Sequence, residues 1–214
     1  RPRNKSIPFD LKYIQSELRA KNKTVYLIDQ VIEPTCDLSE KAASFGADII
    51  LISGTTLDYY EICSFAKDCK KHKKDTVIVI SGQDVTADPD KYTRENTFFD
   101  IALLGEIEED ALFLIDELDK ETPLSVLKNH FLRYFRENGP SLVENLDRLP
   151  FPSYSPRELA SYGQLYPVKI YRRLAWGHLM TSRGCPHQCI FCTHMIRKSY
   201  GKRMRYRSPE SIIS

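Results

Sequence analysis

Ala47-Asp48-Ile49-Ile50-Leu51-Ile52-Ser53 and Thr76-Val77-Ile78-Val79-Ile80 decide the fold. Each is a short, unbroken apolar run rich in β-branched residues, the pattern of a strand buried on both faces. Working outward, residues 23–29 (Lys-Thr-Val-Tyr-Leu-Ile-Asp) read as a strand before them. Phe99-Asp100-Ile101-Ala102-Leu103-Leu104 reads as a fourth strand after them. Helical spacing fills the gaps: residues 10–20 with Leu11, Ile14 and Leu18, then 38–45 stopping at Gly46, then 58–72, then 108–120. The last of these would carry Leu112, Ile115 and Leu118 inward and turn Asp116 and Asp119 to water. Strands alternating with helices predict an α/β domain with a parallel sheet covered on both faces.

In such sheets ligands sit beyond the carboxyl ends of the strands. Three loops fall there: Ser53-Gly54-Thr55-Thr56, Ser81-Gly82-Gln83-Asp84 and Gly105-Glu106. Their small and polar residues offer backbone N–H groups with little steric bulk, although tight turns call for Gly and Ser in any case. Together they predict a ligand crevice.

Beyond residue 122 the texture changes. Residues 124–137 are helical in spacing, and Leu149-Pro150-Phe151-Pro152-Ser153-Tyr154-Ser155-Pro156 is a stiff connector, because each proline fixes φ and suppresses helix. Residues 168–171 and 178–181 then look like strands, the second delivering a cysteine loop. Charge divides along the same line. Residues 1–150 hold 20 Lys and Arg against 27 Asp and Glu, a balance of −7, and residues 151–214 hold 11 against 2, a balance of +9. A basic half of this kind can face an anionic partner, or can be missing its acidic complement. No apolar run approaches the ~20 residues of a membrane span, and the opening Arg1-Pro2-Arg3-Asn4-Lys5 has no apolar core of a secretory signal behind it. A start without Met and an end in what reads as a helix point to a piece of a longer protein.

Of six cysteines, Cys36, Cys63 and Cys69 are scattered and read as small idle thiols. The other three crowd together in Cys185-Pro186-His187-Gln188-Cys189-Ile190-Phe191-Cys192. This is no disulfide scaffold, and it suits a protein of the reducing cytoplasm with one metal centre. Structural zinc wants four closed ligands, usually two distant pairs. Here only His187 and His194 stand near as a fourth, so an iron–sulfur centre fits better: three thiolates on a four-iron cluster leave one iron open.

The stretch Thr181-Ser182-Arg183-Gly184-Cys185-Pro186-His187-Gln188-Cys189-Ile190-Phe191-Cys192 resembles the signature of radical S-adenosylmethionine (SAM) enzymes. The resemblance implies that Cys185, Cys189 and Cys192 each hold one iron of a [4Fe–4S] cluster, that SAM binds the fourth, and that its cleavage yields a 5′-deoxyadenosyl radical. Phe191 would pack beside the adenine. Further segments are similar to the cobalamin-binding-domain members of that family. Ile7-Pro8-Phe9-Asp10-Leu11-Lys12-Tyr13-Ile14 resembles their Pro-Pro-Leu-Gly-Leu-x-Tyr-Ile opening, and Gly105-Glu106-Ile107-Glu108 their Gly-Glu-Gly-Glu loop. Residues 146–152 resemble their interdomain connector, and residues 201–210 the segment after the cluster loop.

The resemblance implies a flavodoxin-like (Rossmann-type) parallel-sheet domain over residues 1–122. A helical and Pro-rich linker would follow over 123–166, and the first, truncated part of a radical SAM partial TIM barrel over 167–214. Cobalamin contacts would come from Ser53, Gly54, Thr55, Ser81, Gly82, Gln83, Gly105 and Glu106. Two departures stand out: Ser81-Gly82-Gln83-Asp84 stands where a Gly-Gly pair often follows the third strand, and no Asp-x-His-x-x-Gly motif is present to supply a lower axial imidazole.

The activity expected is methyl transfer to an unactivated atom of a small-molecule substrate, fed by an electron donor such as ferredoxin or flavodoxin. The alternatives are another cobalamin-assisted radical reaction, such as cyclisation or rearrangement, or a non-catalytic zinc-stabilised binding module. Residues 197–207 interleave six basic residues with Tyr200 and Tyr206, a texture seen at nucleic-acid contacts. In this family the segment forms the first turns of the barrel, which favours a structural role over nucleic acid. A tRNA methylthiotransferase would place three further cysteines at the strand ends, where this chain has Gly54-Thr55 and Gly82-Gln83.

Overall fold

A computed structural model describes residues 7–30, 32–33, 37–94, 97–163 and 177–213. Its centre is a parallel sheet of three strands, β1 (Ile49–Ser53), β2 (Val77–Ser81) and β3 (Ile101–Ala102), in that order. The two deciding runs pair in register from Ile49 opposite Val77 to Ser53 opposite Ser81. Side chains alternate across a strand, so each strand feeds two cores. Ile78 and Ile80, with Ile50 and Ile52, pack against Ala42, Ile62, Ala66 and Cys69 of α2 (Leu38–Ser44) and α3 (Tyr59–His72). Val79, Ile101 and Leu103, with Ile49 and Leu51, pack on the other side. There they meet Ile14 and Leu18 of α1 (Phe9–Ala20), Ala111 and Leu114 of α6 (Glu108–Asp119), and Leu127 and Phe131 of α7 (Leu124–Asn138). The expected parallel α/β sheet with helices on both faces is what the structure contains.

Local chemistry sets the boundaries. Asp37 caps α2 by accepting from the amides of Ser39 (2.9 Å) and Glu40 (3.1 Å), and Gly46 ends it at φ +61°. A capping box between Thr55 and Asp58 starts the turn that leads into α3. Short helices α4 (Gln83–Ala87) and α5 (Asp90–Thr93) follow β2. The face of α6 is centred on Ala111 and Leu114, with Leu112, Ile115 and Leu118 at its half-buried margins.

Three expectations change. Residues 23–29 are not a strand: they make no ladder, and Val25 alone reaches the second core while Tyr26 stacks on Phe45. The strand expected at 99–104 shrinks to the two residues of β3, because the Asp100 carboxylate takes the Ile78 amide (2.8 Å) at one end. At the other end Leu104 and Gly105 turn away to pair with Ser141. The strand expected at 178–181 lies further along, as β4 (Ser182–Arg183), antiparallel to β5 (Arg205–Tyr206). Pairing starts there because Thr181 O accepts from Arg207 N. The strand expected at 168–171 and Cys36 lie outside the described residues.

Among the described residues, the C-terminal part shows this one antiparallel pair with α9 (Met195–Tyr200) and α10 (Pro209–Ile213), and no barrel. The proline connector crosses α1: buried Lys12 donates to Ser153 O (3.0 Å) and pairs with Glu158 of α8 (Pro156–Gly163). No helix among the described residues is long and apolar enough to cross a membrane.

The loops after β1 and β2 touch. Gly82 has φ +123°, and a Cβ there would stand 2.3 Å from Gly54 O. Gly82→Ala is therefore expected to cost at least about 1–3 kcal/mol from backbone strain alone, read as a lower urea midpoint. An unchanged midpoint would contradict the close approach.

Candidate metal and cofactor site

The cysteine loop leaves β4 through Gly184, whose φ of +99° and whose approach to Arg203 O (2.1 Å from a built Cβ) admit no side chain. Cys185 N then donates to Gly201 O (3.1 Å), and Cys192 N closes a turn onto Cys189 O (3.1 Å). Cys185 is half-buried, while Cys189 and Cys192 are exposed. All three are free thiols and line one hollow together with His187 and His194. Between them Ile190 and Phe191 stand 99% and 89% exposed, so Phe191 is in solvent. Among the described residues no three Cys, His, Asp or Glu side chains converge closely enough to hold an ion. The donor chemistry is of the kind that ligates iron–sulfur centres: three free thiols line one hollow, and Cys192 Sγ meanwhile donates to Thr193 O (3.7 Å).

The strand-end residues are differently placed. Ser53 Oγ donates to Asp10 (2.7 Å), Thr55 Oγ1 to Asp58 (2.8 Å), and Ser81 Oγ to Ile52 O (3.1 Å). Gly105 N is taken by Thr86 Oγ1 (3.0 Å), and Gly54 and Gly82 close on each other. Gln83 is exposed, and its helix α4 packs beside α9. With these polar groups satisfied inside the chain and the two glycine loops in contact, the crevice as it stands does not fit a corrin.

Glu106, read from the sequence as a cofactor contact, is buried in a network of its own. Its side chain is 0% exposed. It accepts both terminal nitrogens of Arg205 (2.9 and 2.5 Å) and the amide of Val143 (2.8 Å), with Arg183 at 3.3 Å. Arg183 donates to Glu108 (2.5 Å), and Arg205 also reaches Val143 O and Tyr200 O. The guanidiniums of Arg183 and Arg207 lie over the ring of buried Tyr13, at 5.5 and 5.6 Å. Burial works against the Arg183 charge, and Glu108 and Glu106 more than offset it, so its pKa lies above the ordinary value. Burial also pushes the Asp10 carboxyl upward, with Glu108 adding to it against hydrogen bonds from Ser53 and Leu11.

Sequence reasoning missed the roles of Asp10, Tyr13, Glu108, Arg183 and Arg205. The signal available was the opposite charge of the two halves. The run at 197–207 belongs to this network in part: Arg205 and Arg207 are buried, Arg203 pairs with Glu144, and Lys198 donates to Ala87 O.

No protein-family model matches the chain. It is 31% identical to an uncharacterized methyltransferase of Pyrococcus horikoshii, over 96% of this chain and 44% of that protein. It is 26% identical to the hopanoid C-2 methylase of Rhodopseudomonas palustris over 78% of this chain and 27% of that protein. To the hopanoid C-3 methylase of Methylococcus capsulatus it is 24% identical, over 96% and 39%. The chain thus spans less than half the length of these curated relatives, which are methyltransferases by name. Among solved structures, the N-terminal domain of a hypothetical protein of Thermotoga maritima gives a TM-score of 0.37 at 20% identity, over 53% of this chain and 85% of that one, too distant to bear on the fold.

The raised pKa of Asp10 fixes a sign. Its folded form holds the proton more tightly than the unfolded chain, so its contribution is full at low pH and is lost as pH rises through the raised value. Asp10→Asn keeps an oxygen for Ser53 and is expected to raise the urea midpoint at about pH 7, with the gain vanishing near pH 3. A loss of stability at neutral pH would contradict this environment for Asp10.

Proposed function

We propose that the chain is part of a radical SAM methyltransferase in which Cys185, Cys189 and Cys192 hold a [4Fe–4S] cluster. The observation that carries the reading is the set of three free thiols lining one hollow on a loop of that spacing. Methyltransferase relatives support methyl transfer as the outcome. When bound, the cluster would supply an open iron for SAM and the electron that cleaves it.

The chain's own part is to present and orient these groups. Gly184 lets the loop leave β4 without a clash, the Cys185 amide anchors on Gly201, and the turn at residues 189–192 sets two thiols close in sequence toward the hollow. Phe191, exposed beside them, is available to cover an adenine ring. A small-molecule substrate and a low-potential electron donor of the ferredoxin or flavodoxin type complete the reading. The closed strand-end crevice counts against cobalamin as a resident group, so no role is assigned to it. A zinc site made by the three thiols and His187 or His194, which line the same hollow, is the competing reading.

Anaerobic reconstitution separates the two. With iron and sulfide, the full chain is expected to take up about four irons and four sulfides, with a brown absorbance that any one of Cys185→Ala, Cys189→Ala or Cys192→Ala abolishes. Added hydroxocobalamin is expected to elute apart from the protein on gel filtration. In the full-length enzyme, reduction with SAM and substrate should yield S-adenosylhomocysteine together with 5′-deoxyadenosine, whereas deoxyadenosine alone would indicate another radical reaction. A colourless chain that retains zinc would overturn the proposal.

A further inference from the structure

Of the three thiols, Cys185 is set apart by what precedes it. Two residues earlier stands Arg183, its side chain only 3% exposed, bridging Glu108 at the start of α6 (2.5 Å) and Glu106 of the loop that follows β3 (3.3 Å). Its Cα partner across the antiparallel pair is Arg205, whose two terminal nitrogens grip both oxygens of the same Glu106. Gly184 is wedged against Arg203, and the Cys185 amide is bonded to Gly201. Cys189 and Cys192, by contrast, are exposed, and the backbone bond of their turn, Cys192 N to Cys189 O (3.1 Å), runs between the two of them. Cys185 is thus tied to the α/β domain through the residue pair just before it, while Cys189 and Cys192 stand four and seven residues further along the loop.

Four buried charges are a poor choice if stability is all that matters, because desolvation offsets most of the Coulombic gain and apolar packing does as well. What such a network supplies is a defined geometry: a planar guanidinium between two fixed carboxylates admits few placements. A residual acceptor, the buried Oε2 of Glu108, has no partner among the described residues, so the network is not arranged for maximal pairing.

We propose that Arg183 is a positioning residue for the cysteine loop: Glu106 and Glu108 hold it, and through it the α/β domain sets where the Cys185 thiol stands. The proposal rests on the reading of Cys185, Cys189 and Cys192 as one ligand set, but its first consequence shows in the metal-free chain. There Arg183 keeps Cys185 half-buried.

The test uses the reduced, metal-free full chain, pulsed with iodoacetamide, with the labelling of each cysteine followed by peptide mass spectrometry. Cys69 is the internal control, since it is buried in the sheet core and burial pushes its thiol up to about 11. Arg183→Gln is expected to raise the labelling rate of Cys185 several-fold, toward that of Cys189, while Cys189, Cys192 and Cys69 keep their rates. The charge-swapped pair Arg183→Glu with Glu108→Arg should restore slow labelling of Cys185. If Cys69 also becomes reactive in Arg183→Gln, the decision passes to Glu108→Gln, which keeps the side chain's shape and is expected to release Cys185 alone. A Cys185 rate unchanged in the folded variant, or all three loop thiols changing together, would overturn the proposal.

Iron reconstitution of the same variants then separates this inference from the functional reading. Lower iron uptake in Arg183→Gln, with all three cysteines present, supports a role in presenting the ligands. Wild-type chain that takes up no iron but shows the predicted labelling would end the functional reading and leave the positioning role standing.

Discussion

Two carboxylates at the carboxyl end of the sheet, Glu106 and Glu108, hold two guanidiniums from a hairpin far along the chain, and the remaining architecture is arranged around that contact. Glu106 and Arg205 are 99 residues apart, and both are buried. Removing one partner of such a pair leaves an uncompensated charge in the interior, at a typical cost of about 3–5 kcal/mol. Neither side can therefore be withdrawn cheaply. The network also recruits its surroundings: the Val143 amide and carbonyl close around Glu106 and Arg205, and the Tyr13 ring receives two cations on its surface. Tyr13 in turn packs with Val143, Leu146 and Leu149, a third, small core that includes the connector's first residue.

The charge asymmetry of the chain finds its explanation here. The basic excess of residues 151–214 meets the acidic excess of residues 1–150 within one molecule, through Arg183 and Arg205 on Glu106 and Glu108, and Arg203 on Glu144. The connector is handled in the same way, with Lys12 buried against Ser153 and Glu158. The junction between the α/β domain and the cysteine segment is thus polar and specific rather than greasy, which favours a defined orientation over a sliding one. For a loop proposed to present thiols to a metal centre, orientation is the property that counts.

How much of this could be read in the sequence depended on whether its cause was local. β1, β2, α3, α6 and α7 were legible because their apolar spacing and end signals lie within a dozen residues of one another. The segment at 23–29 has the same composition as a strand, yet a strand needs a partner, and nothing in its own residues reveals that the ladder is lacking. The displacement of the strand from 178–181 to Ser182–Arg183 has the same origin, since its register is set by residues 205–207. The thiols of the candidate site were legible as a set, because their spacing is the signal. For Glu106 the sequence shows a carboxylate in a strand-end loop but not the distant Arg205 that it pairs with. Arg205 was hidden in a basic run whose exposed members it resembles.

Through the buried network, the cysteine segment and the sheet form one structural unit. Native-state hydrogen exchange of the full chain tests it most directly, since amides that open in a single event share one opening free energy. The amides of Val143, Cys185 and Arg207 belong to the junction, and that of Val79 to the sheet. All four are predicted to exchange with a common free energy and to shift together in denaturant. Fast, independent exchange at Cys185 and Arg207 beside a protected Val79 would show the hairpin to be a separate, loosely attached element, and would contradict the account.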